Sequence, residues 1–172
     1  MSDSILIILI VSLLIIVYVV QVERHKNLLQ RGLFLLDLDC HEETIISFKK
    51  AIQIQYNSYL AWYYRGIALL KLDRNKEALA SLDKSIEFQS DYYKAWNNRG
   101  LALCNLERYG EALNSFNKAL QFKSNYHEIW YNRGIVLANL GRYEEADISY
   151  DKAVEIRPDI VKHLGLLSPQ PF

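Results

Sequence analysis

Four histidines (His25, His41, His127 and His163) and two cysteines (Cys40 and Cys104) are the side chains best suited to metal or thiol chemistry in this 172-residue chain. Zinc takes such ligands at short, characteristic spacings, and these six show none. Two cysteines make no disulfide framework, and both are read as inert free thiols suited to a reducing compartment. A phosphate cradle needs a glycine-rich run, but the seven glycines stand singly. Asp and Glu are spread at intervals rather than gathered, so acid–base catalysis by paired carboxylates has no support. No catalytic residue, metal or cofactor is expected, and the chain is read as a non-enzyme. The oddest polar feature is an arginine recurring every 34 residues: Arg31, Arg65, Arg99 and Arg133. On a packing face a guanidinium must be hydrogen-bonded. Asp83 and Asp151 are candidate partners, and the four arginines are read as structural.

The composition agrees with a scaffold. Lys and Arg number 20 against 20 Asp and Glu, which argues against a nucleic-acid partner, since phosphate neutralisation needs a basic excess. A hydrophobic share of 51% excludes wholesale disorder. Ile, Tyr, Asn, Lys and Phe make up a third of the chain. All five have AT-rich codons, pointing to an organelle or an AT-rich bacterium.

The elements that position these residues fall into two parts. Ser4 to Val22 carries no charge, and Ile5 to Val20 is apolar apart from Ser12 and Tyr18. At about 1.5 Å per residue this run covers the roughly 30 Å of a bilayer's hydrocarbon core. A secretory signal would need a basic start and a small-residue cleavage site, and neither is present. Residues 5–22 are therefore expected to span a membrane after a short tail, 1–4. Arg24, Lys26 and Arg31 follow the run and no basic residue precedes it, so the body is expected on the cytoplasmic-type side.

The body repeats. Trp62, Trp96 and Trp130 are 34 residues apart, and so are Gly66, Gly100 and Gly134. With Trp at position 4 the units are 25–58, 59–92, 93–126 and 127–160, followed by a tail, 161–172. Across all four, position 14 is leucine (Leu38, Leu72, Leu106, Leu140) and position 19 glutamate (Glu43, Glu77, Glu111, Glu145). Position 23 is serine (Ser47, Ser81, Ser115, Ser149) and position 26 lysine (Lys50, Lys84, Lys118, Lys152). Positions 4, 7, 8 and 11 share one helical face and 20, 24, 27 and 28 another, so each unit is expected to be a hairpin of two helices. Glycine at position 8 and a small residue at 20 would let the two backbones approach. The turn is expected at positions 15–17, as in Asp73-Arg74-Asn75. A lone helical hairpin cannot bury its face, so stability must come from stacking. The tryptophans are read as core. The first 31 residues hold no Gly or Pro, so the membrane helix is expected to run straight into the first repeat. At the other end Val161, Leu164, Leu166 and Leu167 make a poor polar cap, and this end is expected to meet a partner or a second copy.

These residues resemble the tetratricopeptide repeat (TPR), whose pattern has Trp at 4, Ala at 20, Phe at 24, Ala at 27 and Pro at 32. Here position 20 is Thr44, Ala78, Ala112 and Ala146, position 24 is Phe48, Leu82, Phe116 and Tyr150, and only Pro158 stands at position 32. The resemblance implies an all-α fold: a right-handed superhelical TPR solenoid of four helix-turn-helix repeats, the first degenerate, preceded by one transmembrane helix. It also implies a peptide-binding groove lined by the first helices. Carried over, the groove residues are Tyr63, Tyr64, Ile67, Asn97, Asn98, Leu101, Asn105, Tyr131, Asn132, Ile135 and Asn139. The Lys and Asn of the branch that clamps chaperone tails are absent, which leaves a neutral groove of amides and tyrosines for a protein client.

One span, about four repeats and an AT-biased composition together are similar to a plastid-encoded, cyanobacterial-type TPR family that acts in photosystem I assembly or stability. That resemblance implies a thylakoid location with stromal repeats and photosystem I subunits as clients. A bacterial inner-membrane adaptor for envelope or secretion complexes is the alternative. An organelle import receptor is a third reading, one that favours an acidic rim this groove lacks.

Overall fold

The computed structural model describes residues 2–159. The tail 161–172, with the self-association expected of it, lies outside the described residues. Within them the chain forms eight helices: α1 (Ser2–Asp37), α2 (His41–Ile54), α3 (Tyr59–Lys71), α4 (Asn75–Phe88), α5 (Tyr93–Asn105), α6 (Tyr109–Phe122), α7 (His127–Asn139) and α8 (Tyr143–Ile156). Each helix packs on the next, and α1, α3, α5 and α7 also touch in succession. This is the packing of a TPR solenoid, with the odd-numbered helices along its inner side.

Each hairpin turns on one backbone device. Position 15 is left-handed in every repeat: Asp39 (φ 55°), Asp73 (φ 54°), Glu107 (φ 58°) and Gly141 (φ 72°). The next amide reaches back five residues to close the helix end, as Arg74 N–H does to the Leu69 carbonyl (2.9 Å) and Arg108 N–H to Leu103 (2.9 Å). The second helix starts from the same residue. At its start Arg74, Arg108 and Arg142 each grip Glu77, Glu111 and Glu145 at 2.7–2.8 Å, which explains the recurrent glutamate. The recurrent lysine bonds one turn onward, Lys84 to Glu87 at 2.6 Å and Lys118 to Gln121 at 3.2 Å.

The space at the recurrent glycine is taken by the residue at position 24 rather than by an approaching backbone. A Cβ on Gly100 would stand 2.6 Å from the Phe116 ring, and one on Gly66 would stand 2.8 Å from Leu82. The neighbouring Ala78, Ala112 and Ala146 are buried, so small residues there let this ring or side chain lie flat.

The joints between repeats are where the recurring Trp, Arg and Ser meet. Trp62, Trp96 and Trp130 donate to the carbonyls of Tyr56, Ser90 and Ser124 in the loop behind them, at 2.7–2.8 Å. They are half-buried pins at the joint, not deep core. Over their rings lie the guanidinium groups of Arg65, Arg99 and Arg133, at 5.7–5.9 Å. Each guanidinium then donates to the serine of its own hairpin, Arg99 to Ser115 at 2.7 Å, and the Ser115 hydroxyl donates to the Glu111 carbonyl. That chain gives position 23 its serine. Arg99 also meets Asp83 (2.7 Å) and Arg133 meets Asn117 (2.9 Å), both on the preceding repeat. Asp151 has no arginine partner among the described residues. Arg31 differs too: no repeat precedes it, and it is exposed, as is Phe34 at 63%, where Ala68, Ala102 and Val136 are buried.

Helix α1 is one unbroken rod of 36 residues, apolar around its whole circumference from Ile5 to Val22. It is long and apolar enough to cross a membrane, and none of its apolar window is buried by the body. Helix begins at Ser2, so the short tail expected ahead of the span is helical. Ser12 returns its hydroxyl proton to the Ile8 carbonyl at 2.8 Å, which satisfies the one hydroxyl in the apolar run apart from Tyr18.

Candidate protein-binding groove

Helices α3, α5 and α7 line a cleft of about 450 Å³ walled by Tyr63, Ile67, Asn97, Asn98, Leu101, Tyr131 and Asn132, together with Tyr93, Lys94, Tyr126 and Glu128. The 34-residue period stacks equivalent residues one helix apart, so position 5 contributes Tyr63, Asn97 and Tyr131 in a row. Position 6 reaches across to position 5 of the repeat before it. Asn132 Nδ2 donates to Asn97 Oδ1 (3.3 Å), and Asn98 Nδ2 lies 3.4 Å from the Tyr63 hydroxyl while donating to the Lys94 carbonyl (2.9 Å). Asn98 and Asn132, both expected groove residues, thus each turn at least one side-chain N–H onto the solenoid itself. Among the described residues their side-chain oxygens accept no hydrogen bond. Tyr63 and Asn97 are 7% and 9% exposed, so they form the floor of the cleft.

Four expected groove residues lie elsewhere. Tyr64 turns toward the preceding hairpin and stacks on Phe48 with ring centroids 5.6 Å apart. Asn105 donates to Asn75 Oδ1 (2.9 Å) near the intra-repeat turns. Asn139 bonds back to the Ile135 carbonyl (2.8 Å), and Ile135 itself is exposed beyond the cleft wall.

The cleft gains Tyr93 and Tyr126 from the helix starts, which the groove positions did not include, and a cluster of further tyrosines packs beside it. Tyr59, Tyr92 and Tyr63 meet edge to face at 5.0–5.2 Å, and Tyr93 meets Tyr126 at 5.5 Å. Their signal was in the sequence: Tyr59 and Tyr93, and Tyr92 and Tyr126, are again 34 apart. Burial, then the neighbouring phenols, pushes the Tyr63 and Tyr92 hydroxyls well above the ordinary tyrosine range, so they stay protonated donors. Lys94 and Glu128 put one charge of each sign at the mouth.

Among the described residues no group of three or more His, Cys, Asp or Glu converges on a point. Cys104 is half-buried on α5, and burial pushes its thiol up to about 11, away from nucleophile chemistry. What the arrangement offers is an aromatic and amide wall that takes a peptide by contact area and hydrogen bonds.

Comparison with known proteins bears on the repeats. The tetratricopeptide repeat family matches residues 127–160, a TPR repeat family matches 100–141, and the protein prenyltransferase alpha subunit repeat matches 75–106. Comparison with curated proteins finds no match. Among solved structures, one described as the crystal structure of MamA superposes with a TM-score of 0.75 at 23% identity, covering 80% of this chain and 81% of that one. A MamA fragment from Desulfovibrio magneticus superposes with a TM-score of 0.73 at 21% identity, over 78% of this chain and 76% of that one. At such identity the likeness is one of fold. The chain carries tetratricopeptide repeats and folds as a TPR solenoid, an architecture typical of protein-interaction scaffolds rather than enzymes.

Proposed function

We propose that this protein is a membrane-anchored scaffold that holds a protein client in the cleft across α3, α5 and α7, and that it serves photosystem I assembly or stability on the stromal face of a thylakoid. The observation that carries the binding role is the cleft itself. A wall of tyrosines with free amide oxygens, and no group poised for catalysis, suits recognition of a peptide. Anchoring is supported by α1, whose apolar segment continues as one helix into the first repeat, with Arg24, Lys26 and Arg31 following that segment. The photosystem I role rests on the resemblance in architecture and composition given above.

The test is co-purification of the tagged full chain from its own membranes in mild detergent, beside an Asn98→Ala/Tyr131→Ala variant. Photosystem I subunits should come with the wild type, and about fivefold to thirtyfold less with the variant, since loss of an aromatic anchor costs about 1–2 kcal/mol. Envelope or secretion proteins in their place would replace the photosystem reading with that of a bacterial adaptor.

A further inference from the structure

The three joints between repeats are not equivalent. At the second and third, the arginine of position 7 meets an acceptor sixteen residues earlier, Asp83 for Arg99 and Asn117 for Arg133. At the first, the residue sixteen before Arg65 is Lys49. Arg65 keeps its serine bond to Ser81 (2.5 Å) and its seat over Trp62, but its Nε has no acceptor among the described residues. Beside it opens a notch of about 410 Å³ lined by Lys49, Ile52, Gln53, Tyr56, Trp62 and Arg65. Two cations, an amide and two amphipathic aromatics line it, with no carboxylate among them.

The height of this notch along α1 is fixed by three contacts. Phe48 covers Gly32, Ser47 Oγ donates to the Leu28 carbonyl (2.9 Å), and His25 Nδ1 lies 3.0 Å from the Ala51 carbonyl. As α2 advances, its neighbours on α1 retreat toward the N-terminus. Continued for one more turn, the end of α2 at Ile54 comes level with about residues 21–26, at or just past the end of the apolar run. The loop holding Tyr56, whose ring is exposed, and Trp62, bonded to the Tyr56 carbonyl, therefore sit at the level where α1 leaves the hydrocarbon. Lys49 is five residues, or about 7 Å, further out, which is within the depth of a headgroup layer. Tyr and Trp at the boundary with cations just outside it is the arrangement a bilayer interface selects.

We infer that this notch seats the phosphate of an anionic membrane lipid, bound by Arg65 and Lys49, with the glycerol against Gln53 and the start of an acyl chain along Ile52, Tyr56 and Trp62. The site rests on the reading that α1 crosses a membrane. It adds to that anchor a second hold, which fixes the rotation of the solenoid about α1 and turns the loops between repeats toward the bilayer.

The substitution that tests it is Lys49→Asp, because it copies the Arg99–Asp83 pair into the first joint and fills the site without opening a hole. Full-length protein is reconstituted in vesicles of equal phosphatidylglycerol and phosphatidylcholine, extracted in mild detergent, and its retained lipid counted by native mass spectrometry. Wild type should keep one phosphatidylglycerol in roughly tenfold preference to phosphatidylcholine, Lys49→Arg should keep that preference, and Lys49→Asp should bring it near parity. Equal retention by Lys49→Asp, or no preference in the wild type, overturns the site. So does displacement of the lipid by millimolar inorganic phosphate or by an acidic peptide, which would make the ligand a free anion or a protein. Protein that fails to insert into the vesicles at all refutes the anchor instead, a result that insertion without lipid preference does not give.

Discussion

Single residues in this chain carry two kinds of assignment, one to holding helices together and one to meeting a client, and their titration separates them. Tyr63 belongs to both. An unfolded tyrosine ionises near its ordinary 10.0, whereas burial keeps the folded hydroxyl protonated above that, so above pH 10 the native state holds the extra proton. Its contribution is fully present below pH 10 and is lost as pH rises toward the folded value. Thermal melts of the full chain in mild detergent should therefore be flat from pH 7 to 9 and fall above 10, and Tyr63→Phe should lessen the fall. Cys104 gives an independent reading. With its thiol raised from 9.0 to about 11, alkylation at Cys104 should still climb nearly tenfold per pH unit between pH 9 and 10, where an ordinary thiol is levelling off. A plateau by pH 9 would mean that α5 is open at this point. Glu107 carries strain rather than charge. Its left-handed backbone (φ 58°) suits glycine, which Gly141 already supplies in the fourth repeat, so Glu107→Gly should raise stability by about 1 kcal/mol in the same melts.

At the scale of the helix, the hairpin is set by a glycine and the ring laid on it. A methyl on Gly100 would stand 2.6 Å from Phe116 with the helices fixed on both sides, so Gly100→Ala should cost about 1–3 kcal/mol of stability by calorimetry. The same change at Gly110, with open space around its Cβ, should be neutral to stabilising. Much of this scale was legible beforehand. A period of 34 with two apolar faces requires stacked helix pairs, and the turn at positions 15–17 follows from where those faces change. The pairing inside the joints was not legible, because it depends on which neighbour each helix face meets. Positions 5 and 6 lie about 100° apart on a helix. That angle puts Tyr63 on the cleft floor and turns Tyr64 onto Phe48, although the two are adjacent tyrosines in sequence. Likewise the repeat pattern marks the serine at position 23 without showing that the arginine of its own hairpin donates to it. Arg31 broke the pattern for the converse reason: a first repeat has no predecessor to bury it.

The whole molecule is a quasi-linear stack in which each repeat contacts only its neighbours. Two consequences follow. The cleft is built by three consecutive inner helices, so a client seated there as proposed lies across them, and the outer helices α4, α6 and α8 leave residues such as Ile148 (58% exposed) on the opposite side. With α1 across a membrane as proposed, its continuation as one helix into the first repeat keeps the solenoid close to the bilayer, and a client is met at a fixed height above it. The measurement that tests this most directly is site-specific photocrosslinking of the full chain in its own membranes. A benzophenone amino acid at Ile67 or Tyr131 in the cleft is compared with one at Ile148. The account predicts that the same client protein is captured from both cleft positions and not from Ile148. Capture from Ile148 alone would contradict it and move the binding face to the outside of the solenoid.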